Sequence, residues 1–69
     1  MKVGDKVHYT PSYPDPVIEN GIIKSIPDTE HCFVVYHCGG EWDNYQDYTA
    51  AITSNNALQE GWIGEQENG

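Results

Sequence analysis

Arginine is absent from this chain of 69 residues, and lysine is scarce. Lys2, Lys6 and Lys24 stand against eleven acids, for a formal net charge of −8. Nucleic acids are gripped by cations that neutralise phosphate, so this balance argues against them as partners. It argues equally against an anionic membrane surface. Long apolar runs are missing too. The opening MKVGDKV holds no apolar core for a signal peptide, and nothing approaches the about 20 apolar residues of a bilayer span. A cytoplasmic protein is expected. Catalytic signatures are also lacking. There is no Ser-His-Asp or Cys-His arrangement and no glycine-rich phosphate loop, since Gly39-Gly40 alone marks a turn. The expectation is a protein that is not an enzyme and carries no cofactor.

Cysteine occurs only as Cys32 and Cys38. On one strand they would stand roughly 20 Å apart, at about 3.3 Å per residue. A disulfide needs Cα atoms within about 7 Å. Both are therefore expected as reduced, buried thiols, which suits the cytosol. His31-Cys32 and His37-Cys38 invite zinc. They sit at opposite ends of the same strand, so they cannot share one tetrahedral ion, and adding His8 does not repair this. No metal is expected.

What the chain does have is short β-forming runs. Residues 31–38, HCFVVYHC, form the longest apolar run and predict a central strand. Alternation sets Cys32, Val34, Tyr36 and Cys38 on one face, and Phe33, Val35 and His37 on the other. Both faces are apolar, so both must be covered, which in so small a chain predicts a sheet curling on itself.

The other elements follow in order. Residues 3–9 predict strand one, with Val3, Val7 and Tyr9 on one face. Residues 10–16, TPSYPDP, hold three prolines and predict a loop carrying Tyr13. Residues 17–26 predict strand two. Asn20-Gly21 inside it is a strong hairpin signal, yet Val17-Ile18-Glu19 is short for a strand of its own. A glycine bend within one strand is therefore preferred. In residues 41–48 the aromatics recur at every third position, Trp42, Tyr45 and Tyr48, which suits a short helical turn or an ordered loop. Residues 49–53 predict a strand, residues 54–58 a single turn capped by Ser54 or Asn55, and residues 61–63 a closing strand. Residues 1–63 make one domain, and 64–69 a flexible acidic tail.

The run of VGDKV, GIIKSI, FVVY, YTAAIT and NNALQEGW resembles a small SH3-like barrel of the KOW or Tudor type. That resemblance implies an all-β, strongly bent, five-stranded antiparallel barrel with one 3-10 turn. It further implies a buried Leu58 after the turn, Gly21 at the start of the second strand, and Ile23 and Ile26 in the core. Unlike the basic, RNA-binding KOW proteins, this chain is acidic. Residues 41–63 are also similar to short uncharacterised proteins encoded in bacteriophage genomes, which implies an accessory viral protein that binds a host component.

Function is expected in the loops, where rigid barrels usually carry it. Tyr13, Trp42 and Tyr45 lie in polar loops, whereas Tyr48 and Trp62 are expected to close the core. Glu41, Asp43 and Asp47 surround the loop aromatics. Acids in a loop are usually only solvated, and they give no hydrolytic pair here. Together these six residues, Tyr13, Glu41, Trp42, Asp43, Tyr45 and Asp47, form the expected binding site, an aromatic anchor with a charged rim. The expected partner is a host protein or peptide. The alternative is a sponge for a small nucleotide signal, stacking the base on Trp42 or Tyr45 in a pocket between subunits of a homo-oligomer.

Overall fold

The computed structural model describes residues 1–10 and 18–63. The loop expected over residues 10–16, Tyr13 included, lies outside them except for Thr10, as does the tail at 64–69. Five strands form one antiparallel sheet: β1 (Lys6–Tyr9), β2 (Glu19–Ser25), β3 (His31–Val35), β4 (Ala51–Ser54) and β5 (Leu58–Glu60). Their order is β4-β3-β2-β1-β5. The fold is all-β, as expected.

The sheet is strongly bent, and its connectivity requires this. β4 and β5 are the two edges, yet the 3-10 turn Asn55–Ala57 alone joins them. In a flat sheet those edges would lie about 19 Å apart, four spacings of about 4.8 Å. Four fully extended residues span at most about 14 Å. β2 takes up the curvature. Its first half pairs with β1, from Glu19 to Ile22, and its second half with β3, from Ile22 onward. Gly21 is buried inside this continuous strand, so Asn20-Gly21 makes no hairpin. A Cβ there would lie 2.6 Å from Val34 Cγ1 and 2.7 Å from Val35 O.

Val7, Ile23, Cys32, Val34 and Leu58 form the core, with Tyr9 and Tyr36 packed against it. These are the inward residues of the alternation read from the sequence, and Leu58 is buried where the resemblance placed it. The opposite face is covered as well: Ile22 and Val35 are buried, and the 3-10 turn Trp42–Asp47 packs on β2. Both thiols are free and buried. Cys32 Sγ donates to Asn55 Oδ1 at 3.0 Å, and burial pushes its thiol above its ordinary titration range.

Several boundaries differ from expectation. β3 is a central strand as expected, paired on both sides by β4 and β2, but β2 stands in the middle of the five. β3 ends at Val35 rather than Cys38, since pairing with β4 stops at Val34 and with β2 at Val35. Val3 is exposed, because Gly4 at φ +93° turns the chain before β1 begins. Ile26 is exposed rather than in the core, since a register shift between Ile23 and Ser25 ends the alternation. The closing strand is 58–60, not 61–63. Gly61 at φ +90° leaves the ladder there. Finally, 3-10 structure occurs twice among the described residues. The expected turn stands at Asn55–Ala57, its Ser54 hydroxyl accepting from Asn56 N. The second is Trp42–Asp47, kinked at Asn44.

Candidate binding surface

The turn Trp42–Asp47 resolves the period-three spacing of the sequence. A 3-10 helix has about three residues per turn, so every third side chain shares a face. Trp42, Tyr45 and Tyr48 are half-buried, while Glu41, Asp43, Asn44, Gln46 and Asp47 are exposed. The rings face the sheet and the acids face solvent. Trp42 meets Trp62 with ring centroids 4.9 Å apart and planes tilted by 58°. The Tyr45 hydroxyl reaches the vicinity of Gly4, and Gln46 Nε2 donates to it. Tyr48 offers its carbonyl to Lys24 Nζ at 2.7 Å.

Trp62 itself is tied down. Its indole Nε1 donates to Gly21 O at 2.8 Å, and Lys6 Nζ lies 4.7 Å from a ring centroid. Around it, residues 61–63 form a strap held mainly by side chains. His8 Nδ1 donates to Gly61 O, while Asn20 both donates to Ile63 O and accepts from Ile63 N. Gly61 N adds a backbone bond to Lys6 O.

The expected site is therefore brought together only in part. Trp42 and Tyr45 line one side of the turn, and Glu41, Asp43 and Asp47 the other. A shallow polar recess runs along residues 43–47. Among the described residues no cation pairs with these three acids. Nor is there any group of three or more His, Cys, Asp or Glu placed to hold a metal ion.

A second surface was not singled out from the sequence. At one end of the sheet, Tyr9, Glu19, Tyr36, Thr53, Ser54 and Ala57 surround an open hollow of about 490 Å³. Tyr9 and Glu19 are cross-strand partners, and Tyr9 packs edge-on against Tyr36 with centroids 6.2 Å apart. Tyr36 is hydrogen-bonded to Thr53 Oγ1 at 2.9 Å, and burial raises its phenol above the ordinary value of 10.0. A smaller hollow of about 280 Å³ continues past Tyr36, His37 and Ala51 to Thr49 and Ala50. The two share a wall, so a groove runs beside β4 toward the foot of the Trp42–Asp47 turn. The signal that could have found it is positional. Tyr9 and Tyr36 are core-face tyrosines at strand ends, and a tyrosine there must bring its hydroxyl to a polar rim.

No protein-family model, curated protein or solved structure matches the chain. Among the described residues no helix is long and apolar enough to cross a membrane.

Proposed function

We propose that this protein is a non-enzymatic binding module whose partner is a basic segment of a host protein or a basic peptide. The observation that carries this is the groove beside β4, with aromatic walls from Tyr9 and Tyr36 and the carboxylate of Glu19 at its rim. Largely apolar clefts with a few placed polar groups are the ordinary form of a binding site. The uncompensated acids Glu41, Asp43 and Asp47 add an outlying negative patch that steers a basic partner in. The resemblance to SH3-like barrels supports a contact at the long loops 10–16 and 39–48, which flank the ligand groove in such barrels. The looser similarity to bacteriophage proteins supports a host component as the partner, met in the host cytoplasm.

The nucleotide-sponge reading has less support. All three lysine ammonium groups are engaged: Lys2 with Asp5, Lys6 over Trp62 and Lys24 with Tyr48 O. Phosphate would have to take one of them away from its partner.

The test is capture from bacterial lysate with the parent protein and a Glu19→Lys variant as baits, followed by mass analysis of proteins and small molecules. Basic proteins held by the parent and lost from an equally stable variant support the proposal. A nucleotide released from an oligomeric parent, with no protein captured, overturns it in favour of the sponge.

A further inference from the structure

The hydrogen-bond polarity of the hollow selects the chemistry of its occupant. Thr53 has one hydroxyl hydrogen, and Thr53 Oγ1 stands within donating reach of Ala51 O at 3.3 Å. Tyr36 Oη and Thr53 Oγ1 are hydrogen-bonded at 2.9 Å, and either hydroxyl can be the donor. Tyr36 lines the hollow, and its phenol oxygen can accept a hydrogen bond there. The Glu19 carboxylate is an acceptor without a donor. Ser54 is turned to cap the Asn55–Ala57 turn, accepting from Asn56 N. His37 Nε2 stands 3.9 Å from Glu19 Oε1 on an exposed ring, a loose pairing that a better donor displaces. The wall therefore offers the Glu19 carboxylate and the Tyr36 oxygen as acceptors.

We infer that this hollow takes the guanidinium of an unmodified arginine side chain, presented by a basic peptide, with Glu19 and Tyr36 Oη as its two acceptors and the Tyr9 and Tyr36 rings as its walls. The inference rests on the peptide-binding reading and names the side chain that the groove recognises. Three properties of the site agree on arginine. A carboxylate at the rim requires positive charge. Acceptors on two elements, β2 and the residue following β3, require a donor that fans out, as the planar fork of arginine does and the point-like ammonium of lysine does less well. Aromatic walls favour the weakly hydrated guanidinium plane over a tightly hydrated ion. A quaternary ammonium meets the first and third requirements and fails the second, because it has no N–H to give. Neutral citrulline keeps the shape and most donors and fails the first.

The experiment is titration of the full chain, followed by amide NMR shifts, with pentapeptides that differ only at the central residue. The probes carry arginine, lysine, trimethyl-lysine, citrulline or leucine between glycines. The expected result is saturable movement of the Tyr9, Glu19, Tyr36 and Thr53 amides with the arginine peptide, and at least tenfold weaker binding of the trimethyl-lysine and citrulline peptides. Glu19→Gln should lose about tenfold for arginine with its melting temperature unchanged. Tyr36→Phe, which leaves the ring and removes the acceptor, should lose severalfold. Trimethyl-lysine binding as tightly as arginine would overturn the donor requirement while leaving a peptide-binding groove intact. Leucine binding in the groove as well as arginine would do the same to the charge requirement. Shifts confined to residues 42–48 would move the site to the acidic turn. No binding by any probe would overturn the inference, and the lysate capture separately decides the broader reading.

Discussion

Replacing Gly21 by alanine would place a methyl group against Val34 Cγ1 on one side and the carbonyl oxygen of Val35 on the other. A side-chain tip can swing away, but a backbone carbonyl held in the sheet cannot. Overpacking of this kind costs about 1–3 kcal/mol. Gly21→Ala is expected to lower the urea midpoint accordingly without changing the slope of the transition. An unchanged midpoint would mean that the strand gives way at no cost. The position was legible in part. Asn-Gly alone suggests a hairpin, and the brevity of residues 17–19 argued for a bend. The reason the site must be glycine, the close approach of β3, is a contact about 13 residues away that no local pattern records. The tyrosines show the same limit. Tyr9 and Tyr36 were placed correctly on the core face, but which of them lies at the open end depends on where β3 stops pairing.

At the scale of elements, the turn Trp42–Asp47 and the strap 61–63 behave as one cover over the outer face of the sheet. Trp42 and Trp62 join them by a tilted ring contact, and Trp62 also closes a hydrogen bond to Gly21 O. A double-mutant cycle with Trp42→Ala and Trp62→Ala is expected to give a coupling of about 0.5–1.5 kcal/mol, the usual worth of an aromatic pair beyond its burial. Trp62→Ala should cost more by itself, because it also orphans a carbonyl. Additive losses in urea unfolding would show that the two segments are independent. The cover also qualifies the loop site expected from sequence. Trp42 and Tyr45 are partly committed to the sheet, so their truncation should reduce stability as well as any binding. The period of three announced one face of aromatics and one of acids. It did not say which face turned inward, since a short 3-10 turn has no sheet to face until the sheet exists.

For the whole molecule the governing quantity is a charge of −8 on a body with a radius of gyration of 11.4 Å. Acids this close repel one another and weaken the compact state. Asp43→Asn combined with Asp47→Asn is expected to raise the melting temperature at low ionic strength. Adding about 0.5 M NaCl should raise the parent toward the variant, because the Debye length then falls below about 5 Å. A variant that melts lower than the parent at every salt concentration would show that these carboxylates hold the turn together.

The sequence by itself determined the quantities that depend on residue type and spacing. An acidic character, strands too short for helices, and a single turn before Leu58 all follow from local composition and from the periods of two and three. The tertiary structure decided the order of the strands, where each strand stops, and what the two tyrosines enclose. Those depend on pairing between segments distant along the chain, where one register shift or one positive-φ glycine ends an alternation that the sequence alone would continue. The groove beside β4 belongs to this second kind. Its walls come from β1, β2, β4 and the chain just beyond β3, and only the curl of the sheet brings them together.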